Sequence, residues 1–308
     1  PVLSFLAWLG AIVVVVSGAL LLSPPVKYTP PSVHVAVEEI PQPPAPPTST
    51  EPQPGVGDEA AQPQPSVSVP VVPEPEPAAP PVKKPKIAIV IDDVGLDIRG
   101  SERAIELPFY VTLSFLPYAP QLKNMAKDAR DNGHELLLHM PMEPVGHNNP
   151  GPGALLVDLP PDEIKQRFET ALASFVGFDG VNNHMGSKFT AWQPGMEIVI
   201  DELQQRHLFF LDSRTSAQSV GERVAKSRHL PTVTRDIFLD DDMSSAAVKQ
   251  QLAETERVAR RKGSALAIGH PHAATLDALE EWLPEAEKRG FVFVQVRTLV
   301  TKPPAAVP

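Results

Sequence analysis

A chain of 308 residues with 37 prolines, no cysteine and a formal charge of −10 is long enough for two domains, yet the prolines crowd into the first third and leave one stretch able to bury a core. Without cysteine there are no disulfides and no thiolate metal sites, so a metal must be held by His, Asp or Glu. No basic block stands out, which argues against nucleic acid as a partner, because neutralising phosphates takes clustered Lys and Arg.

The chain opens on an apolar run, Val2 to Leu22, with no charged residue before Lys27. About 20 such residues suffice to cross a bilayer as a helix. A cleaved signal peptide, with its small-residue stretch at Ser17-Gly18-Ala19, is the alternative, but its apolar region is normally only about 7–15 residues. The expectation is a single-pass inner-membrane anchor over residues 1–26, with the folded part in the periplasm or otherwise outside the cytoplasm. Residues 27–84 are rich in proline with Glu, Ser, Gln and Val between, a composition expected to stay disordered and PPII-like as a spacer. A short tail, 302–308, reads the same way.

Residues 85–301 have the texture of a folded domain. Strand-like apolar runs occur at Lys86–Ile91, Tyr110–Leu116, His134–His139, Gly180–His184, Leu208–Asp212, Asp236–Asp240, Ala265–His270 and Phe291–Val296. Stretches of helical period lie between most of them, as in Ile164, Phe168, Leu172 and Phe175. Gly133, Gly263 and Gly290 stand where helices should end, and Pro160 and Pro194 where they should start. Repeated strand–helix units indicate a parallel α/β sheet or barrel, and the pattern alone leaves both open. No glycine-rich phosphate loop follows the first strand, so nucleotide binding lacks support.

Ionisable residues stand at the carboxyl ends of six predicted strands: Asp92 and Asp93, His139, His184, Asp212, Asp240 and His270. In parallel β/α folds these ends form one face, where active sites lie. Taken singly, each has a plain structural explanation, such as a loop cap or a hydrogen-bonded core histidine. Together they describe a site. Asp with two His is a common set for a catalytic divalent metal; a second carboxylate can take a proton from water and a further His can protonate a leaving group.

The stretches IDDVG (Ile91–Gly95), GHELLLHMPMEP (Gly133–Pro144), GVNNHMGS (Gly180–Ser187), LDSRTS (Leu211–Ser216), RDIFLD (Arg235–Asp240) and AIGHPH (Ala267–His272) resemble the NodB-like polysaccharide deacetylase superfamily, specifically its divergent second family. The resemblance implies a (β/α)7-type barrel and a metal-dependent deacetylase acting on an amide bond. It makes Asp92 the base, Asp93 a metal ligand and His270 the general acid, with Asp212 or Asp240 behind it. The family's second motif carries two histidines; here His139 is present and Glu143 stands in place of the second. Either Glu143 or His184 completes the set, and the strand-end position favours His184. The family's middle arginine motif is not recognisable, and Arg214 or Arg235 is the candidate substitute. The expected cofactor is a divalent metal, zinc by preference, on Asp93, His139 and His184. The expected substrate is an acetylated glycan, peptidoglycan or another envelope polysaccharide. The competing readings are a non-catalytic barrel that binds glycan or an envelope protein, and a glycoside hydrolase using two rim carboxylates.

Overall fold

The computed structural model describes Lys84 to Thr301. The expected anchor 1–26, the linker up to residue 83 and the tail 302–308 lie outside the described residues. Among the described residues, no helix is long and apolar enough to cross a membrane.

Among the described residues nine strands and seven helices follow one another: β1 Lys86–Val94, α1 Ile98–Glu106, β2 Thr112–Phe115, α2 Leu122–Asp131, β3 Leu136–Met142, α3 Pro161–Leu172, β4 Gly180–Met185, α4 Gln193–Gln205, β5 Phe209–Asp212, α5 Gly221–Ser227, β6 Thr232–Thr234, β7 Ile237–Phe238, α6 Ser245–Lys262, β8 Ser264–Gly269, α7 Ala273–Lys288 and β9 Val292–Phe293. The strand order is β6-β5-β4-β3-β2-β1-β8-β7, with β9 added against β1, and every pair is parallel. The result is a parallel α/β half-barrel. The ladder does not close as a regular barrel of seven units. Its two outer strands, β6 and β7, are successive pieces of one short segment that changes partner part-way. Arg235 N–H donates to Asp212 O on the β5 side, and Asp236 N–H donates to Leu266 O on the β8 side. The sequence expectation of one strand over Asp236–Asp240 therefore shrinks to two residues, and β6 was not foreseen.

Local signals set the helix limits. The Asp97 carboxylate accepts from Arg99 N–H at the start of α1, and the Ser244 hydroxyl accepts from Ala247 N–H at the start of α6. Gly263 ends α6 at φ +85°, a left-handed cap that side chains resist. Pro161 opens α3, whose Ile164, Phe168, Ala171 and Leu172 turn inward onto the sheet.

Two apolar layers result. One lies between the helices and the outer face of the sheet; the other fills the interior with Ala88, Val90, Leu137, Phe209, Leu211 and Leu266, among others. Val296, in a single turn after β9, plugs the lower end, and Thr301 pairs antiparallel with Thr232 beneath it. Every second residue of a strand faces the interior. Going up the strands, the inward series runs Ala88, Val90, Asp92 on β1; Leu137, His139 on β3; Leu266, Ile268, His270 on and just past β8. The interior is oily below and ionisable above.

Candidate metal centre and active-site cleft

The upper ends of the strands surround a cleft of about 700 Å³ whose walls include Asp92, Asp93, His139, His184, Arg235 and His270. Alternation explains most of this convergence. Asn182 and His184 share the inner face of β4, and the register pairs His139 with Asn182, leaving His184 two residues higher.

Asp93 needs a further device, since alternation would send it outward after Asp92. The β1–β2 register slips between Ile91↔Leu113 and Val94↔Phe115, three steps on β1 against two on β2. In that bulge Asp93 takes φ +57°, and its carboxylate turns back into the cleft. Met185 (φ +52°) at the end of β4 and Arg214 (φ +50°) after β5 are also left-handed, so three strand ends carry backbone strain at this one rim. Asn183 ties two of them together, donating to Met185 O at 2.7 Å and accepting from Ser213 N–H at 3.0 Å.

Asp93 Oδ1 stands 2.8 Å from His184 Nδ1 and 3.3 Å from His139 Nε2, and the two nitrogens are 3.3 Å apart. Around an ion with bonds of about 2.0–2.2 Å, adjacent ligand atoms lie roughly 3–3.5 Å from one another. The donor set passes a second test. Asp93 Oδ1 is buried yet has no properly aligned hydrogen bond, despite its short distances to both rings. An orphaned carboxylate oxygen facing two imidazole nitrogens fits a cation.

The tautomers agree. The Asn182 amide donates to Asp92 Oδ1 (2.8 Å) and Ser213 Oγ (3.2 Å), while its carbonyl accepts from Ser114 Oγ (2.6 Å) and His139 Nδ1 (2.8 Å). The amide orientation is thereby fixed, and His139 carries its proton on Nδ1 and presents the Nε2 lone pair to the site. Burial works to raise the pKa of Asp93, but the two histidines hold it far below the usual carboxylate range. Burial would likewise lower His139, and the charges of Asp92 and Asp93 raise it instead.

Across the cleft, His270 Nε2 is 3.9 Å from Asp93 Oδ2, and its Nδ1 is 2.9 Å from Asp240 Oδ1. Asp240 Oδ2 accepts from His270 N–H and from Thr275 Oγ. Burial opposes charge on the ring, but Asp240, with the more distant Asp92 and Asp93, lifts its pKa to about 9. The helix α1 fixes this loop from behind: a Cβ on Gly100 would stand 2.3 Å from Pro271 O. His272 also lies near Asp240 and His270, but it is exposed, and both Asp240 oxygens are already engaged.

Two sequence candidates fall elsewhere. Asp212 does not reach His270. Alternation puts Leu211 inside and Asp212 outside, where its carboxylate accepts from Ser219 Oγ, Arg214 N–H and Glu222 N–H and fastens the loop into α5. Glu143, the alternative metal ligand, is drawn away by Lys188 at 2.6 Å and by Val157 N–H at 2.7 Å. His134 and Glu135 of the second motif sit at the lower end, His134 on the Val111 and Ile105 carbonyls and Glu135 on Arg297 and Thr112. Asn182, the polar centre of the site, was quoted in a motif but given no role. Its inward parity with His184 was the available signal.

The family model for divergent polysaccharide deacetylases matches residues 89–300, which takes in every one of these residues. This chain belongs to that family. An uncharacterized Escherichia coli K12 protein, YibQ, is 36% identical over 201 residues, covering 65% of this chain and 63% of its own length. The chain therefore spans just under two-thirds of that relative. A Haemophilus influenzae protein is 37% identical over 198 residues, 64% of this chain and 71% of its own. A solved structure from Agrobacterium tumefaciens C58, also of an uncharacterized protein, superposes with a TM-score of 0.69 at 36% identity, over 72% of this chain and 92% of that one.

Proposed function

We propose that the protein is a metal-dependent hydrolase that removes acetyl groups from an amino sugar of an envelope glycan, with zinc as the natural cation. The convergence of Asp93, His139 and His184 carries this reading, supported by membership of a deacetylase family. A cation held by these three residues would supply Lewis-acid polarisation of the acetyl carbonyl and a more acidic water. Asp92, held by Asn182 through one oxygen, takes a proton from the attacking water as its oxygen bonds to the acetyl carbon. His270, kept protonated by Asp240, delivers its proton to the sugar nitrogen as the C–N bond breaks, so acetate and a free amine leave. The proton on Asp92 then returns to His270 through solvent, and the cycle closes.

The apolar run Val2–Leu22 would anchor the chain in the inner membrane, with residues 27–84 as a spacer to a domain in the periplasm. Peptidoglycan or another acetylated polymer is then the substrate within reach. The decisive test is metal content of the full chain together with acetate release from N-acetylated oligosaccharides. Stoichiometric metal with turnover abolished by chelator supports the proposal. Bound metal without acetate release would leave a glycan-binding barrel, and turnover indifferent to chelator would point to the rim carboxylates alone.

A further inference from the structure

The mechanism uses neither of the two guanidinium groups that border the cleft. Arg235 sits in the segment joining β6 to β7. Its Nε donates to Ser213 O at 2.6 Å, one Nη2 hydrogen goes to Arg214 O at 2.9 Å, and its guanidinium lies 4.9 Å from the centre of the Phe238 ring. These contacts hold the group rigidly, yet all are to neutral partners. Burial is the largest influence against the charge of Arg235; Asp92, Asp212 and Asp241 favour it without contact, and the exposed Arg214 at the top of β5 opposes it. Among the described residues neither arginine forms a salt bridge.

The nearby carboxylates have other work. Asp236 is bound by Lys262 at 2.6 Å and by Leu266 N–H, and Asp212 is committed to its own loop. Asp92 is the base, and Asp241 lines the cleft without contacting either guanidinium. A half-buried cation costs desolvation that neutral carbonyls offset only in part, and a second cation beside it adds repulsion. An arriving anion would relieve both, and the planar guanidinium edge suits the paired oxygens of a carboxylate or a phosphate.

We propose that Arg214 and Arg235 form a receptor for an anionic substituent, carboxylate or phosphate, on the glycan, so that the cleft selects acidic sugars over neutral ones. The proposal rests on the cleft being a glycan site and adds the class of sugar it takes. It does not depend on turnover.

The test is equilibrium binding to the metal-free full chain of three tetrasaccharides of N-acetylglucosamine: unmodified, with one ring carrying a lactyl carboxylate, and with one ring phosphorylated. The wild type should bind at least one charged ligand about tenfold more tightly than the neutral one, the scale of one charge-assisted contact, and lose that margin as salt rises. Preference for one charged ligand alone identifies the source; preference for both assigns the pair to anions generally. R214Q changes an exposed side chain and should cost most of the margin, and R235Q should cost it too. Equal affinity for all three, or no binding of any, overturns the proposal. So does a loss in R214Q and R235Q that falls equally on neutral and charged ligands, because it would mean that they only brace the β5 loop. Acetate release from the neutral tetramer, measured separately with metal, decides the deacetylase reading whichever way the binding falls.

Discussion

Replacing Asp240 with Asn keeps the shape of the loop behind His270 and removes its charge. The half-buried ring has a pKa of about 9 only because Asp240, aided by Asp92 and Asp93, outweighs burial, which pushes it the other way. Without the adjacent carboxylate, which supplies the two largest of the raising influences, the pKa should fall toward the ordinary 6.5. A general acid must carry its proton. At pH 8 a group of pKa about 9 is roughly 0.9 protonated, whereas one at 6.5 is roughly 0.03 protonated, a loss of about thirtyfold. The basic limb of the pH–rate profile should therefore move to lower pH by up to about two units in Asp240→Asn. A cation near Asp93 lowers both values alike, so the separation of the profiles is the readout, not their position. NMR titration of the His270 ring in the metal-free chain measures the same quantity without turnover. Identical midpoints in wild type and variant would refute the relay and reduce Asp240 to a loop cap.

The other expectations concern the centre itself. His184→Ala should leave the isolated chain with little bound metal by elemental analysis, while Glu143→Gln should retain it; the reverse pattern would transfer the ligand role. Asn182→Ala strips partners from Asp92, His139 and Ser114 at once, and should weaken metal binding about 10–100-fold and lower stability by about 2–4 kcal/mol, checked by metal titration and denaturant unfolding. Metal affinity should fall as the medium is acidified, starting at higher pH than for a free imidazole, because the neighbouring carboxylates raise the pKa of His139 and its proton competes for Nε2; affinity that is flat from pH 8 to 6 would count against His139 as a ligand. Gly100→Ala gains about 1 kcal/mol of helix propensity but drives a methyl group into Pro271 O, so net destabilisation and a displaced His270 are expected, read from melting and from the ring's NMR shift.

Much of this was legible in the sequence because a parallel strand has simple arithmetic. Its end marks the functional rim and its parity marks the inner face. The strand-end rule alone gathered Asp92, His139, His184 and His270, but it also gathered Asp212. Parity with Leu211 removes Asp212, and the same parity would have promoted Asn182 beside His184. Asp93 obeys the strand-end rule but breaks parity, because a bulge and a left-handed φ place it, and no residue pattern announces that bulge. The strand-end rule also named Asp240, with Asp212, as a candidate behind His270, but Asp240 lies past the end of a two-residue strand, so loops whose path the sequence does not encode locally make that pairing. The partner change between Thr232 and Phe238 was likewise hidden: three residues paired on one side and two on the other are too few to set up a period.

The half-barrel's interior divides along the same strands into an oily lower tier and an ionisable upper tier. Val90 and Asp92 are neighbours on one face of β1, yet the first packs into the core and the second lines the cleft. Most of the close apolar packing of the interior lies in the lower tier, while the polar groups that meet the cleft lie in the upper one. A scaffold divided this way can keep its vessel while the groups at its mouth are exchanged.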